Sequence, residues 1–176
     1  MHGPHVNYAT ASFGQGISTT PIEMIRALST LANGGLLVQP HVVSAIKYES
    51  GITRSIPVQS GVRVLKQETA ETVTNMLTIV YDKALLNGAL KMDHYTLAAK
   101  TGTAQIPNPA TGKYYTDRYL HSFFGYFPAH DPQFIVFLFT YEPHGQEYAS
   151  ATLAHPFYDI AQYLIHYYNI PPDREP

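Results

Sequence analysis

A short run of residues from Lys100 to Thr103 combines a cation, two hydroxyl groups and a glycine. In an extended strand successive side chains alternate, so Lys100 and Gly102 would face one way and Thr101 and Thr103 the other. A glycine inside a strand is typical of a place where a ligand or another backbone approaches closely. A cation, hydroxyls and open backbone N–H groups together suit an anionic, peptide-like ligand that adds itself to a sheet edge. The competing interpretation is a plain strand whose lysine stem lies on apolar neighbours with its ammonium group in water.

The composition excludes several classes of function. The chain has 176 residues, enough for one compact domain with a real core, and 45% of them are hydrophobic. A net charge of -2 argues against nucleic acid or an anionic membrane surface as the main partner. There is no cysteine, and the nine histidines are scattered without metal-ligand spacing, so we expect no metal and no other cofactor. No stretch is apolar for long enough to span a bilayer, and the first residues lack a signal-peptide pattern.

Hydrophobic periodicity and turn residues divide the rest of the chain into elements that would position the lysine-bearing run. A capping box at Thr20 to Glu23, with proline at the first helical position, begins the first helix, and Asn33 and the two following glycines end it. The predicted elements are helices over residues 21–32 and about 67–83, strands over 42–48, about 95–105, 120–127 and 133–141, and a final amphipathic helix over about 153–168.

Two further expectations concern the sheet. The prolines and glycines of residues 106–112 predict a long exposed loop that could border the site. Residues 134–139 are apolar on both faces, so we expect this strand to lie centrally, with helices on both sides. A break is expected at Asn87 and Gly88, after the second helix.

The order of these elements predicts an α+β fold of the α/β sandwich type, an antiparallel sheet with the C-terminal helix packed on it. The lysine-bearing run lies on the first of the three late strands. We expect residues 1–10 to be a linker or an artificial start, residues 11–171 to form the folded portion, and residues 172–176 to be a tail.

Four segments together resemble the transpeptidase domain of class B penicillin-binding proteins, serine acyltransferases that cross-link peptidoglycan and are trapped by β-lactams. The resemblance covers residues 11–171 in the family's order and implies a partial β-lactamase/transpeptidase-like fold. The third family signature is similar to Lys100-Thr101-Gly102-Thr103. The other three similar segments are SFGQGISTTP at residues 12–21, ANGG at 32–35 and SFFGYFPA at 122–129.

The family's other two signatures are not found. The sequence contains no Ser-x-Asn, and its one Ser-x-x-Lys is Ser44 with Lys47. A lysine activates a serine three residues earlier only where both lie on one side of a helical turn. Because Ser44 falls in a predicted strand, Lys47 would face the opposite side, and we reject Ser44 as the nucleophile.

The resemblance implies a role for each residue of the signature. Lys100 would be catalytic, through its positive charge beside the reacting hydroxyls, and would attract the substrate's carboxylate. Thr101 and Thr103 would hydrogen-bond that carboxylate. Gly102, which has no side chain, would let the substrate approach the strand closely. The backbone N–H of Thr103 would form half of the oxyanion hole. With no nucleophile of its own, the 176-residue chain is expected to be inactive alone, whereas its parent protein would be an active serine-type D,D-transpeptidase.

The resemblance also implies partners and a location. These are the peptidoglycan stem peptide, β-lactams, and a missing N-terminal part of the same domain that carries the nucleophile. The parent would be membrane-anchored among cell-wall synthesis partners on the extracytoplasmic face of the bacterial membrane. Open sheet edges would allow the isolated piece to self-associate. Two alternatives remain open: a non-catalytic module that binds peptides or a partner protein at the same edge, and a carboxypeptidase, β-lactamase or β-lactam sensor domain.

Overall fold

The chain folds into one main antiparallel sheet with helices on both of its faces. The structure, a computed structural model, describes residues 4–12 and 14–175. In chain order its elements are α1 (Pro4–Ala11), α2 (Pro21–Ala32), β1 (Leu36–Leu37), β2 (Ala45–Lys47), β3 (Thr53–Ser55), β4 (Val62–Arg63), α3 (Gln67–Ile79), β5 (Ala98–Asn108), β6 (Lys113–Phe127), β7 (Phe134–Tyr141) and α4 (Ala149–Tyr167). The main sheet has the order β5-β6-β7, while β1 with β4 and β2 with β3 form two small pairs. The predicted α+β fold, with the C-terminal helix packed on an antiparallel sheet, is confirmed.

Helix α2 begins and ends where the sequence predicts. Glu23 Oε2 accepts a hydrogen bond from the Thr20 N–H at 2.8 Å, and the Glu23 N–H donates to Thr20 Oγ1 at 3.3 Å. The bonds from the Thr20 backbone and hydroxyl hold the pKa of the Glu23 carboxyl below its usual value, because they favour the charged form. The predicted capping box is therefore confirmed.

The second predicted helix, over about residues 67–83, has the expected extent but changes type along its length. It is α-helical over Gln67–Ile79 and π-helical over Val80–Ala84, and a 3-10 turn over Leu85–Gly88 follows. Leu86 and Asn87 have positive φ angles of 46° and 56°. The expected break at Asn87 and Gly88 is confirmed, because residues in the left-handed region cannot continue a helix.

The main sheet separates two apolar cores. On the face that we call the α4 face, Phe123 and Phe127 pack against Phe157 of α4, and the Phe123 and Phe157 ring centroids are 4.6 Å apart. On the opposite face, called the α2/α3 face, Tyr126 packs with Leu77 of α3 and with the end of α2. Side chains of each strand alternate between these two cores.

The strand that carries the lysine extends further than the sequence predicts. The expectation of a long loop over residues 106–112 is wrong, because β5 runs to Asn108 and β6 starts at Lys113. Pro107 pairs with Tyr114, just after a shift in register. A proline is tolerated here because β5 lies on the outside of the main sheet, where no further strand of the described chain needs its missing N–H.

The expected central position of residues 134–139 is also wrong. Strand β6 is the central one, and β7 forms the second edge of the sheet among the described residues. The expected cover on both sides is confirmed, since Val136 and Leu138 pack in the core with α4, whereas Ile135 packs in the core with α2 and α3. An apolar composition on both faces thus indicates cover by helices and does not determine the number of neighbouring strands.

Both ends of the chain differ from the sequence prediction. Residues 4–11, most of which fall in the stretch expected to be a linker or an artificial start, form helix α1 with a proline at the first helical position. Residues 1–3 lie outside the described part. Near the other end, the Asp173 carboxylate accepts hydrogen bonds from the N–H of Thr96, at 2.7 Å, and from its hydroxyl. Arg174 forms an ion pair with Asp82. Residues 173 and 174 therefore belong to the fold and are not a tail, because they satisfy polar groups at the base of β5.

Candidate functional site

The run from Lys100 to Thr103 lies on the outer strand β5 with the alternation that the sequence predicts. Lys100 pairs with Phe124 of the α2/α3 face, and Thr101 pairs with Phe123 of the α4 face. Lys100 and Thr103 are exposed, whereas Thr101 and Gly102 are partly buried. The cation and the two hydroxyls therefore project on opposite sides of one edge strand.

The backbone of Thr101 and Thr103 points away from the sheet. The Glu142 N–H donates to the Tyr119 carbonyl at 2.9 Å, so the polar backbone groups of Tyr119 face β7. Because these groups alternate in direction along a strand, those of residues 121 and 123 also face β7 and cannot bond to β5. Their partners Thr103 and Thr101 consequently direct their own N–H and C=O groups toward the outer edge.

Lys100 provides the positive charge of this edge. Its Nζ donates to the Thr101 carbonyl at 2.9 Å, so the side chain lies over the outer edge of the strand. Within the described chain, no carboxylate forms an ion pair with Lys100. Its charge is therefore uncompensated and suited to an anionic ligand.

Gly102 lies close to the side chain of its cross-strand neighbour. A Cβ atom placed on Gly102 would lie 2.5 Å from Oγ of Ser122, which is paired with it on β6. The sequence predicts that this glycine permits a close approach, and the approach seen in the structure is that of the Ser122 side chain. Approach of a ligand to Gly102 stays a prediction.

Thr103 links the edge strand to helix α4. Its Oγ1 accepts a hydrogen bond at 3.0 Å from the N–H of Ala149, the first residue of α4. Next to it, His121 is fully buried, with Nδ1 2.9 Å from Thr152 Oγ1 and Nε2 2.9 Å from the Glu147 carbonyl. Sequence reasoning missed these contacts, because the helix start and the histidine are separated from the motif by many residues and carry no motif of their own.

An uncovered apolar surface adjoins Lys100 on the α2/α3 face. Phe139 and Tyr141 of β7 are 53% and 62% exposed, and Leu120 of β6 is 36% exposed. Their pairing places them on the same face as Lys100 and Gly102, because Ser122 lies between Gly102 and Phe139. We call Leu120, Phe139 and Tyr141 the uncovered apolar surface.

Ser44 lies away from the lysine-bearing strand in sequence and structure. It is exposed and directly precedes β2, which is shorter than the predicted strand over residues 42–48. Its carbonyl accepts the Ile56 N–H at 2.8 Å, in the extended pair formed by β2 and β3. Ser44 and Lys47 therefore do not lie on a helical turn. The rejection of Ser44 as the nucleophile stays a prediction.

Within residues 4–12 and 14–175 there is no cluster of three or more histidine, aspartate or glutamate side chains arranged to hold a metal ion. No helix in that part of the chain is sufficiently long and apolar to cross a membrane.

Comparison with known proteins identifies the family. Residues 3–162 match the model of the penicillin-binding protein transpeptidase domain. Because this match covers most of the sequence, the chain belongs to the family of penicillin-binding protein transpeptidase domains.

Relatives and a solved structure agree with this assignment. The chain is 31% identical to penicillin-binding protein PbpB of Mycolicibacterium smegmatis, over 97% of this chain and 28% of that protein. It is 34% identical to stage V sporulation protein D of Bacillus subtilis, over 88% of this chain and 24% of that protein. The crystal structure of penicillin-binding protein 3 from Mycobacterium tuberculosis, complexed with ampicillin, superimposes with a TM-score of 0.82 and 29% identity, covering 96% of this chain and 39% of that one. The chain thus spans about a quarter of the length of these curated relatives.

Proposed function

We propose that this chain forms the substrate-binding wall of a peptidoglycan D,D-transpeptidase that works through a serine acyl-enzyme and reacts with β-lactams. The observation that carries the proposal is the outer edge of β5, where the charge of Lys100 lies beside the outward N–H groups of Thr101 and Thr103. Membership in the transpeptidase family and the similarity to a protein crystallised with ampicillin support it.

The edge of β5 suits an extended peptide that ends in a carboxylate. An added strand would find outward N–H and C=O groups at Thr101 and Thr103, which is the pattern of β-strand addition. The terminal carboxylate would lie against the outer edge, where the Lys100 ammonium group reaches the Thr101 carbonyl, and would also take hydrogen bonds from the threonine hydroxyls. A β-lactam carries a carboxylate beside its reactive amide and would use the same groups.

The chemistry proposed is acyl transfer. A serine oxygen attacks the carbonyl before the terminal D-alanine, a serine–carbonyl bond forms, and the amide bond breaks as its nitrogen takes up a proton. The Thr103 N–H would hold the oxyanion of the tetrahedral intermediate, and the nucleophile's own N–H would be the second donor. The amine of a second stem peptide then attacks the ester, forms the cross-link and returns the proton to the serine oxygen. Metal and cofactor are not required by these steps.

We propose that the nucleophile lies on another part of the parent protein, in the N-terminal portion of the same domain. Two features of the described residues support this. The uncovered apolar surface of Leu120, Phe139 and Tyr141 borders Lys100 and would be buried by such a portion. Strand β7 has an apolar composition typical of a central strand but lies on an edge, so it would gain a neighbour there.

Location and assembly follow from the substrate. A parent protein that acts on stem peptides would lie on the extracytoplasmic face of the bacterial membrane, anchored there with other cell-wall synthesis proteins. The 176 residues alone would expose the apolar surface and the β7 edge, so we expect them to self-associate.

The test is acylation of the full-length parent protein by a fluorescent penicillin. We expect a stable adduct, and Lys100→Ala to lower the second-order rate constant of acylation by about a hundredfold, the size of the loss when one group that stabilises charge at an acyl-transfer site is removed. The matched control is Lys113→Ala, since Lys113 is an exposed lysine at the start of β6. A parent without any adduct would refute the function, whereas equal rates for the two variants would refute the role of Lys100.

A further inference from the structure

The middle of the lysine-bearing strand is held by a polar cluster around the buried His121, to which the mechanism above assigns no role. The cluster joins His121 of β6, Thr152 and Ala149 of α4, and the Glu147 carbonyl to Thr103. His121 pairs with Thr103 in the sheet and is fully buried, whereas Thr103 is exposed. The cluster thus lies directly behind a residue that faces the proposed ligand.

The hydrogen-bond partners determine which ring nitrogen of His121 carries a proton. A carbonyl oxygen only accepts, so His121 Nε2 must donate its hydrogen to Glu147. In the neutral ring Nδ1 then accepts from the Thr152 hydroxyl at 2.9 Å, a shorter distance than the 3.3 Å from the same oxygen to the Ala149 carbonyl. Both ring nitrogens therefore hold the segment that leads into α4, one through its backbone and one through the first turn of the helix.

Thr103 caps the same helix. The N-cap residue Tyr148 has no side-chain hydrogen bond to the helix, and the N–H of Ala149 is instead accepted by Thr103 Oγ1. Threonine has one hydroxyl hydrogen and two lone pairs. Because one lone pair of Oγ1 is taken by Ala149, the hydroxyl hydrogen is left to be donated elsewhere.

We propose that His121 is a positioning residue that acts through Thr103. By holding Glu147 and Thr152, it fixes the start of α4, whose first N–H orients the Thr103 hydroxyl as a donor toward the carboxylate of the ligand. This inference rests on the proposed function, because it names how one group of the same site is oriented.

The test measures acylation of the full-length parent by a penicillin and by the methyl ester of the same penicillin, separating the binding constant from the acylation rate constant. For His121→Leu we expect binding of the penicillin to weaken about tenfold, the size of one lost hydrogen bond to a charged group, with a change below about twofold in the acylation step. With the ester, which has no carboxylate charge, the variant and the wild type should differ by less than about twofold in binding.

Four further variants separate positioning from general damage. His121→Gln keeps an N–H for the Glu147 carbonyl and should restore most of the binding, and Thr152→Val should repeat the loss in weaker form. His155→Leu is the matched control, because His155 is exposed on α4. Combined with Thr103→Val, His121→Leu should add nothing, since both changes remove the same donated bond.

Equal losses with penicillin and its ester, or full additivity with Thr103→Val, would overturn the proposal. A second readout does not depend on any enzymatic activity: hydrogen exchange of the Ala149 amide should be about tenfold faster in His121→Leu than in the wild type. Unchanged exchange would refute the positioning role. If penicillin does not acylate the wild-type parent but the Ala149 amide exchanges faster in His121→Leu, the proposed function is refuted and the positioning of α4 by His121 is not.

Discussion

The two faces of the main sheet differ in how completely they are covered. On the α4 face, Phe123 and Phe127 are 1% and 0% exposed beneath α4. On the α2/α3 face, Tyr126 is equally buried, but further along the strands Phe139 and Tyr141 lie more than half exposed. The candidate site lies where this second cover ends, because Lys100 and Gly102 face that side.

This difference separates stability from function within one sheet. The α4 face provides the packing that keeps β5 in place, and the α2/α3 face presents the cation and the open surface where a ligand and the rest of a domain would meet. Substitutions in the α4-face core around Phe157 should therefore change the free energy of unfolding. Substitutions of Lys100, or of Thr103 and the residues that position it, should change binding.

The largest effect is expected from Phe157→Ala. Phe157 is fully buried and contacts the rings of Tyr81, Phe123 and Phe127. Its removal should lower the free energy of unfolding by about 3–5 kcal/mol, because a large cavity forms beneath the sheet. Urea denaturation measures this, with Tyr163→Ala as control, since Tyr163 lies on the same helix but is 63% exposed. An equal loss of unfolding free energy in the two variants would contradict the conclusion that packing on the α4 face is the main source of stability.

A pair of glycines tests the comparison more finely. A Cβ on Gly125 would lie 2.4 Å from the Phe157 ring and 2.8 Å from the Ala99 Cβ, on the packed α4 face. Gly125→Ala should lower the free energy of unfolding by about 1–3 kcal/mol, because the core cannot yield. Gly102→Ala meets only the rotatable Ser122 hydroxyl, so it should cost less stability while weakening penicillin binding by the parent protein. Thermal denaturation and penicillin titration of both variants test this difference. A larger loss of stability for Gly102→Ala, or weaker penicillin binding for Gly125→Ala alone, would contradict it.

Two buried tyrosines provide a smaller contrast. On the α2/α3 face, the Tyr126 hydroxyl lies 2.7 Å from Thr74 Oγ1, so Tyr126→Phe should lower the free energy of unfolding by about 1 kcal/mol. On the α4 side, the Tyr81 hydroxyl has no hydrogen-bond partner among the described residues, so Tyr81→Phe should change it by less than about 0.5 kcal/mol. Urea denaturation of both variants decides this, and a larger loss for Tyr81→Phe would contradict it.

The same tyrosines predict a dependence on pH. Burial raises the pKa of Tyr126, although the hydrogen bond from Thr74 acts in the opposite direction. Burial, and after it the charges of Tyr158 and Asp82, raises the pKa of Tyr81, although the charge of Arg174 acts in the opposite direction. As pH rises above about 10, the unfolded chain loses these protons first, so stability that is present below that pH is lost. The free energy of unfolding should be measured at pH values from about 9 to about 11. It should decline less steeply with pH in Tyr81→Phe and Tyr126→Phe than in Tyr163→Phe. Identical slopes would contradict the raised values.

Local signals in the sequence predict much of the fold. The capping box at Thr20 and Glu23 gives both ends of α2, and the break at Asn87 is found where the turn residues stand. Long-range pairing was harder to predict. Pro107 lies within β5 because that strand is at an edge, and Asp173 binds Thr96 although the two are far apart in sequence. Neither relationship leaves a periodic pattern.

The candidate site was predicted in part. The alternation of Lys100 and Thr101 follows from strand geometry alone, and the family follows from four quoted segments. The partners of the motif could not be predicted, because Ser122 opposes Gly102 only through the register of the sheet. The cluster of His121, Thr152 and Ala149 depends on where the start of α4 lies against the strand, which the sequence does not encode locally.

The central claim is that these residues form one wall of an acyl-transfer site whose nucleophile lies elsewhere in the parent protein. The most direct measurement is to incubate the purified 176-residue chain with a labelled penicillin, beside the full-length parent, and to determine the covalent adduct by mass spectrometry. We predict a stoichiometric adduct on the parent and none on the 176-residue chain. A stoichiometric adduct on the 176-residue chain, on Ser44 or any other residue, would contradict the account.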